Sequence, residues 1–197
     1  MAVEQVGPTV EVEARHARDR WIGVYIGALA VVLAICSMGG SNAAKDATLK
    51  NIEATNNWSF FQAKNLRRHI LRMQTEELEL LLLSTPALTD TARQAIEARI
   101  RQYKEQEKTL TSDAASGEGL DELFAKGKAL EVQRDTAMAR DPYFDYAQAL
   151  LQIAIVLASV SIISGGSFLL IGSGLIGLLG TLLTIDGFTM MVRLPFI

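Results

Sequence analysis

Charged residues are missing from two long stretches of the chain, residues 21–44 and residues 146–185. A single helix as long as the second stretch would measure about 60 Å at 1.5 Å per residue, whereas the hydrocarbon core of a bilayer is only ~30 Å thick. Gly165-Gly166 is a helix breaker near the middle of this stretch and divides it into two halves of spanning length. The pattern therefore predicts three transmembrane helices, over residues 21–40, 142–164 and 168–187.

The first predicted span begins with Trp21 and Tyr25, whose amphipathic rings favour the headgroup level of a bilayer. Gly39-Gly40-Ser41 follows the span and is expected to weaken the helix there, because glycine is a poor helix former. A polar leader of residues 1–20 precedes the first span, and a tail of residues 188–197 follows the last one.

Between the first and second spans lies a predicted soluble domain, residues 41–141, which is rich in helix-forming residues. In its first part, apolar and small residues follow spacings of three and four, with polar interruptions at residues 55–56 and 77, and this pattern is typical of a coiled coil. This stripe consists of Ile52, Ser59, Ala63, Leu66, Ile70, Met73 and Leu80. An apolar patch over residues 80–83 ends the stripe.

The first helix of this domain is predicted to end at Ser84, because Pro86 disfavours helical backbone in the residue before it. Thr89 or Asp90 is expected to cap a second helix that runs to about Leu110. The apolar stripe of this second helix is narrow and consists of Ala92, Ile96, Ile100 and Tyr103.

A loop over residues 111–119 is predicted to lead into a third helix over about 120–139. Asp141 is then expected to cap a new helix with Pro142 in its first turn, where the missing N–H of proline costs little. The apolar residues of the third helix are Leu123, Phe124, Leu130 and Met138.

These elements predict an all-α membrane protein with three transmembrane helices and a soluble, antiparallel, coiled-coil-like helical domain between the first and second. A thin helical hairpin buries little area, while ordering its backbone costs about 1–2 kcal/mol per residue. We therefore expect the narrow stripes to bind another chain, either in a homo-oligomer or in a larger membrane complex. The alternative is a self-contained three-helix bundle.

One segment is distinctive: residues 57–67 read Asn-Trp-Ser-Phe-Phe-Gln-Ala-Lys-Asn-Leu-Arg. It resembles the Trp-x-Phe-[Tyr/Phe]-Gln-Ala-Lys-x-[Ile/Leu]-Arg signature of an uncharacterised bacterial membrane-protein family, domain of unknown function 4337. Residues 143–147, followed by 154–159, and a glycine-rich last helix ending near Gly187-Phe188 resemble the same family. The resemblance covers nearly the whole chain from the first span onward. It implies a bacterial membrane protein of this size, and it implies no activity.

Within this segment, Trp58 and Gln62 lie one helical turn apart, with Phe61 beside them. Trp58 is predicted either to anchor a contact with another chain, with Gln62 and Lys64 in a polar network that fixes register, or to join an ordinary aromatic patch. Fixed positive charges also concentrate here, at Lys64, Arg67, Arg68 and Arg72. These residues are predicted either to form an anion-binding or docking face, or to form ion pairs with acids elsewhere in the chain. The acids considered are Glu76, Asp121, Glu122, Glu131 and Asp135.

In the last helix, Ser173, Gly177 and Thr181 recur every fourth residue, a ridge of small side chains that allows close approach of another helix. Ala154 and Ala158 offer the same spacing in the second span. These five residues are therefore predicted to form transmembrane packing contacts. The alternative is a small homo-oligomeric channel in which the glycine-rich last helix lines a pore.

The chemistry of the chain favours no catalytic or cofactor-binding role. Its 19 basic and 22 acidic residues give a net charge of −3, and no basic stripe with interleaved aromatics indicates nucleic acid. The one cysteine, Cys36, lies in the first span, and the two histidines, His16 and His69, are far from it in sequence. We therefore predict no enzyme activity, no metal site and no cofactor.

The sequence thus predicts a non-enzymatic scaffold or accessory subunit of the bacterial inner membrane. It is expected to assemble through its helical domain and its glycine-rich transmembrane hairpin, with the lipid bilayer as its first partner. Arg15, Arg18 and Arg20 in the leader outnumber Arg193 in the tail. By the positive-inside rule, this asymmetry favours a cytoplasmic N-terminus and a periplasmic helical domain.

Overall fold

A computed structural model describes residues 7–192, with side chains from Arg15 onward. Within this range the chain forms four helices and no strand, which confirms the all-helical prediction. The helices are α1 (Gly7–Ser84), α2 (Asp90–Thr111), α3 (Leu120–Ser164) and α4 (Ser167–Thr189). Arg193, used in the prediction of orientation, lies outside the described residues, as do the first six residues and the rest of the tail beyond Arg193.

Three of these helices, α1, α3 and α4, are long and apolar enough to cross a membrane. The turn between α3 and α4 is formed by Gly165 and Gly166, as predicted. Gly165 has a φ of +68°, in the left-handed region that glycine adopts without steric cost. The end of α1 at Ser84 is also confirmed, as is the N-cap of α2 at Thr89, whose side chain accepts a hydrogen bond from the amide of Ala92.

The predicted start of a new helix at Asp141-Pro142 is wrong, because α3 runs straight through Pro142. Helix α1 also continues through Gly39-Gly40-Ser41, where a weaker helix was expected. Gly39 serves packing instead of ending the helix: a Cβ atom there would lie 2.8 Å from the ring of Phe188 and still closer to Phe144. Tyr143 and Phe144, just after Pro142, are almost fully buried and fix the helix on the far side of the proline. Tertiary packing therefore outweighs the local preference at both places.

The chain divides into two compact units. Unit 1 comprises the described residues up to Ala47 together with those from Asp135 onward, and unit 2 comprises Thr48–Arg134. Unit 1 therefore holds the apolar parts of α1 and α3 and all of α4. Unit 2 holds the rest of α1, all of α2 and the start of α3.

In unit 1, the buried residues of each helix follow spacings of three, four or seven, the repeat that keeps one face of a helix against its neighbours. In α1 they include Ile22, Leu29, Cys36 and Ala43. In α3 they include Phe144, Ala147, Leu151, Ala154, Ala158 and Ser161. In α4 they are Ser173, Gly177, Gly180, Thr184 and Gly187. Most of these side chains are small, so the three helices approach one another closely.

In unit 2, α1 packs on α2 and α3 through the face that carries Ala54, Asn57, Leu71 and Thr75, all of them buried. The narrow stripe of α2, which was expected to bind another chain, faces inward in the single chain, with Ile100 buried and Ala92, Ile96 and Tyr103 partly so. The stripe predicted for the third helix is confirmed only in part. Leu123 and Leu130 are buried, whereas Phe124 and Met138 are exposed.

Candidate functional site

The aromatic residues of the distinctive segment meet α3 within unit 2. The Trp58 ring contacts the rings of Phe61 and Phe124 edge-on, with centroid distances of 5.5 and 5.6 Å. Its indole Nε1 donates a hydrogen bond of 3.0 Å to the carboxylate of Glu131 on α3. Because these contacts occupy both the ring and its N–H, Trp58 joins α1 to α3 of its own chain.

Close approach of α1 and α3 at this point depends on Gly127. A Cβ atom at Gly127 would lie 2.8 Å from two carbons of the Trp58 ring and 2.9 Å from the side-chain nitrogen of Asn57. Asn57 is buried and donates a 2.7 Å hydrogen bond to the carbonyl oxygen of Leu123. Neither Asn57 nor Gly127 was selected from the sequence, where a lone glycine in a helical segment was the only available signal.

The basic residues of this segment find acceptors close by. Lys64 reaches both the carbonyl oxygen and the carboxylate of Glu118, the latter at 3.6 Å, and Arg72 pairs with Glu107 on α2. Arg68 donates a 2.8 Å hydrogen bond to Asn65 on its own helix. The acids considered as partners for this cluster, Glu131 among them, are not those that the structure pairs with it. Glu107 of α2 and Glu118 of the loop before α3 pair with these basic residues instead.

The six residues predicted for assembly therefore lie on two different faces of α1. Four of them are partly buried and lie on the inward face of the helix: Trp58, Phe61, Lys64 and Arg68. Gln62 and Arg67 lie on the exposed side of the helix. The structure thus separates residues that a short sequence motif had grouped together.

The exposed side of α1 in unit 2 carries a long apolar row, which we call the outer stripe. Its ten positions alternate in spacing between three and four residues: Leu49, Ile52, Asn56, Ser59, Ala63, Leu66, Ile70, Met73, Glu77 and Leu80. All ten are exposed. The largest side chains remain well exposed, with 62% of Leu66, 67% of Met73 and 64% of Leu80 accessible. The coiled-coil-like stripe read from the sequence is thus left uncovered within the described chain.

In unit 1, four of the five residues predicted for transmembrane packing lie at the contact of α4 with its neighbours. Ala154, Ala158 and Ser173 have no accessible surface, and the Ser173 hydroxyl donates a 2.7 Å hydrogen bond to the carbonyl oxygen of Ala154. A Cβ atom at Gly177 would lie 2.9 Å from the Tyr25 hydroxyl and 3.5 Å from the Ala154 Cβ. Thr181 is only partly buried and bonds back to the carbonyl oxygen of Gly177 in its own helix.

The small-residue ridge of α4 continues through positions that the four-residue spacing missed. Beyond Gly177 the ridge follows Gly180, Thr184 and Gly187, with alternating spacings of three and four. A Cβ atom at Gly180 would lie 2.9 Å from the Leu151 side chain and 3.2 Å from the carbonyl oxygen of Ala147. The spacing matches the seven-residue repeat of the partner helices, which keeps all three in contact over several turns.

Arg18 ties the beginning of the first apolar segment to the turn between α3 and α4. Its guanidinium donates hydrogen bonds of 3.0 Å to the carbonyl oxygen of Gly165 and 3.2 Å to that of Ser161. These carbonyls belong to the last turn of α3 and the turn that follows, where the helix dipole favours a positive charge. The Ser161 carbonyl also accepts a hydrogen bond from the Gly165 amide. Arg18 and the Gly165-Gly166 turn therefore lie on the same side of unit 1.

The loop between α2 and α3 is held by carboxylates. Hydrogen bonds from Ser112 and Asp113 lower the pKa of Glu122, and those from Ser116 lower the pKa of Asp113. The pKa of Glu131 is also below its ordinary value, chiefly through its hydrogen bond with Lys128 and with a smaller contribution from Trp58. All three carboxyl groups are therefore stabilised in their charged form by the folded unit.

Acid is expected to destabilise unit 2 through these groups. A carboxyl group with a lowered pKa binds fewer protons when folded than when unfolded, so its contribution is fully present above its ordinary pKa and is lost as the pH falls through the lowered value. The ordinary values are 3.8 for Asp113 and 4.5 for Glu122 and Glu131. Thermal unfolding, followed by circular dichroism in detergent, should therefore shift to lower temperature below about pH 4.5. A variant carrying Asp113→Asn, Glu122→Gln and Glu131→Gln should lose much of this shift, and an unchanged shift would contradict the assignment.

No group of three or more His, Cys, Asp or Glu side chains suited to a metal ion occurs among the described residues. The predictions of no enzyme activity, no metal and no cofactor stay predictions. The contacts described above are those of helix packing: aromatic edges, small-residue ridges and hydrogen bonds that join helices.

Together, fold and contacts define an all-helical protein with three helices capable of crossing a membrane and a helical unit with an exposed apolar row. The chain belongs to the family described as Domain of unknown function (DUF4337), whose profile matches residues 18–190. This match confirms the family resemblance read from the residues around Trp58. No curated protein and no solved structure matches the chain.

Proposed function

We propose that the chain is a non-enzymatic integral membrane protein that acts as a scaffold or accessory subunit. Three membrane spans anchor it, formed by the apolar segments of α1, α3 and α4. It assembles with other protein chains through unit 2 and through the glycine-rich α3–α4 hairpin.

The observation that carries the proposal is the outer stripe of α1. A folded domain in water normally keeps its larger apolar side chains together, and contiguous exposed patches beyond a few hundred Å² mark interaction sites. Here Leu66, Ile70 and Met73 lie exposed on one face, while a separate face of the same helix, with Ala54 and Leu71, is already buried within unit 2. The exposed apolar side chains support a second protein surface that covers the outer stripe.

The surface of unit 1 supports a lipid environment. The exposed residues of α4 include Phe168, Ile171, Leu175, Leu178, Leu179 and Leu182. In water these side chains would be costly to expose, whereas the hydrocarbon of a bilayer accepts them. The bonds of Arg18 to the Gly165 turn support a common side for leader and turn, and Arg15, Arg18 and Arg20 favour the cytoplasmic side for it.

The alternative function, a channel lined by α4, receives less support from the packing. The small face of α4, with Gly177 and Gly180, packs against α1 and α3 of the same chain. The rest of its surface is strongly apolar, and a water-filled pore needs polar groups along its wall. A channel would therefore require a different helix or a rearranged bundle.

Native mass spectrometry of the full chain, released from mild detergent or lipid nanodiscs, tests the proposal. A scaffold should appear as a closed multiple of the 21.5 kDa chain, and an accessory subunit should appear in a heteromeric particle. A lone 21.5 kDa species at all concentrations, with no companion after extraction from its native membrane, would contradict assembly.

The proposed topology is tested in cells that produce the full chain. A single cysteine at the end of α1, Ser84→Cys in a Cys36→Ser background, should react with a membrane-impermeant thiol reagent added to the periplasmic side. Reaction only after the inner membrane is opened would reverse the orientation while leaving the three spans in place.

A further inference from the structure

We propose that the outer stripe of α1 binds the outer stripe of a second copy of this chain, forming a parallel two-stranded coiled coil. This inference rests on the proposed function as an assembling membrane protein and names the occupant of the surface that carries it. Four properties of the stripe support a second copy: its period, its length, its flanking charges and the positions of its polar residues.

The period of the outer stripe is that of a coiled coil. From Leu49 to Leu80 its residues alternate without interruption between spacings of three and four. This repeat averages 3.5 residues per turn and describes a straight seam between two supercoiled helices. An apolar seam sustained over more than three or four heptads is the sequence signature of such a pairing. In heptad terms, Ile52, Leu66 and Leu80 occupy d positions, and Leu49, Asn56 and Ile70 occupy a positions.

Helix α1 is exposed at all four heptad positions that a two-stranded coiled coil brings into contact, namely a, d, e and g. Its a and d residues are exposed, and so are the residues beside them on both flanks. The contacts of α1 with α2 and α3 fall on the remaining b, c and f positions, which include Ala54, Asn57, Phe61 and Leu71. One helix therefore serves two packing faces: an inward one that is complete within the chain and an outward one that is open.

The size of the stripe is adequate for a stable dimer. Between Leu49 and Leu80 the seam is about 48 Å long at 1.5 Å per residue. With its flanking positions it would contribute about 20 residues from each copy, which is the size of a standard protein interface.

The residues that flank the stripe are compatible with parallel self-association, because they place no like charges opposite each other. In a parallel pair, each g residue faces the e residue five positions later on the other helix. The g positions are Thr48, Thr55, Gln62, His69 and Glu76, and the e positions are Glu53, Phe60, Arg67, Gln74 and Leu81. No pair brings two like charges together, and the Gln62 amide of one copy meets the Arg67 guanidinium of the other. This pairing gives a role to Gln62 and Arg67, the two residues predicted for assembly that lie on the exposed side of α1.

The polar members of the stripe favour the parallel direction. In a parallel pair, Asn56 meets Asn56 and Ser59 meets Ser59, so both of these side chains find a hydrogen-bonding partner. In the antiparallel register that overlaps the whole stripe, Asn56 would face Met73, leaving its amide unpaired at a cost. A single asparagine at an a position is also the residue that selects two strands and fixes their register. The cost of the parallel arrangement is a Glu77 pair near the end of the seam, where water remains accessible.

Cysteine crosslinking of the full chain in nanodiscs tests direction and register. In a Cys36→Ser background, Ile52→Cys and Leu80→Cys should each form a disulfide between identical positions, because d residues of a parallel pair lie within disulfide reach. Gln94→Cys, on the exposed side of α2, is the matched control and should not crosslink. Crosslinks only in a mixture of Leu49→Cys and Leu80→Cys chains would show an antiparallel pair and overturn the parallel arrangement.

Charge insertion tests whether this surface carries the association. Leu66→Lys should raise the dissociation constant at least ~100-fold, because two buried leucine side chains are lost per dimer. Val132→Lys replaces a side chain on α3 that is exposed to a similar degree, 65% against 62%, and should leave association within ~3-fold. Glu77→Leu should strengthen association by removing the facing carboxylates, and Asn56→Ile should yield species larger than a dimer.

The outcomes separate this inference from the proposed function. If Leu66→Lys leaves the particle mass unchanged and the d-position cysteines do not crosslink, the coiled coil is overturned while assembly through another surface stands. If the wild-type chain is a monomer without a companion, both fail together. A heteromeric particle that loses its companion in Leu66→Lys would show that a different chain occupies the stripe, and would also overturn self-pairing.

Discussion

Replacing Trp58 with alanine is expected to destabilise unit 2 by about 3 kcal/mol, because a large aromatic ring packed between two helices is lost together with its hydrogen bond. The ring contacts Phe61 and Phe124, and its N–H bonds to Glu131. Amide hydrogen exchange in the part of α3 that belongs to unit 2, residues 120–134, measures this directly. Exchange through opening of the unit should become about 100-fold faster.

Two control variants separate the contributions of Trp58. Trp58→Phe keeps most of the ring packing and removes only the bond to Glu131, so it should cost about 1 kcal/mol. Phe60→Ala removes an exposed ring of the same helix and should change exchange in α3 little. If Trp58→Ala abolished assembly while exchange in α3 stayed the same, Trp58 would instead be a contact to another chain, as its sequence motif alone had allowed.

Gly180→Leu is expected to separate α4 from α3 in unit 1, at a cost of about 3 kcal/mol or more. A Cβ atom at this position already lies within 2.9 Å of Leu151 and 3.2 Å of the Ala147 carbonyl oxygen, so a leucine side chain has no space. Overpacking of this kind commonly costs about 1–3 kcal/mol when only a methylene is added, and a whole side chain exceeds that. The thermal midpoint of helix loss in detergent, followed by circular dichroism, should fall markedly.

Gly174→Leu provides a control in the same helix. Nothing lies within 4 Å of a Cβ atom at Gly174, and the new side chain would extend into the surroundings of the bundle. Leucine is a better helix former than glycine by somewhat less than about 1 kcal/mol, so this variant should be neutral or slightly stabilising. An equal fall of the thermal midpoint in both variants would mean that α4 tolerates no larger side chain at either position. The contacts of Gly180 would then not explain its effect on stability.

The helices themselves were largely accessible to sequence reasoning. The uncharged stretches indicated where the long apolar helices lie, and Pro86, Thr89 and Gly165-Gly166 marked boundaries that the structure contains. These signals are local, since each depends on backbone preferences or hydropathy over a few turns.

The errors fall where distant residues decide the outcome. Gly39 reads as a weak point of a helix, but it gives space to Phe144 and Phe188, which come more than a hundred residues later. Pro142 reads as a helix start, but the burial of Tyr143 and Phe144 holds one continuous helix across it. No local rule shows which side chain a glycine makes room for.

The candidate site was predicted in part for the same reason. The apolar row of α1 was visible from its spacing, but which face of α1 packs inward depends on partners in α2 and α3. Asn57, Gly127 and Leu123 form that inward contact, and the sequence alone does not show that these three residues meet. Arg68 was grouped with Arg67 by proximity, yet one turns inward and the other outward, because neighbouring residues on a helix differ by about 100° in direction.

The contacts of Arg18 and Cys36 have a consequence for how the protein is made. Arg18 bonds to Gly165, 147 positions later, and Cys36 bonds to the Phe144 carbonyl, 108 positions later. At synthesis rates of about 5–20 residues per second, the first apolar segment waits roughly 5–30 s for these partners to emerge from the ribosome. If this segment spans the membrane as proposed, it resides in the bilayer without these partners during that interval, and the face that later packs against the other helices contacts lipid. Its insertion then depends on its own hydropathy, and the small residues Cys36 and Gly39 on that face are compatible both with lipid and with a closely packed helix.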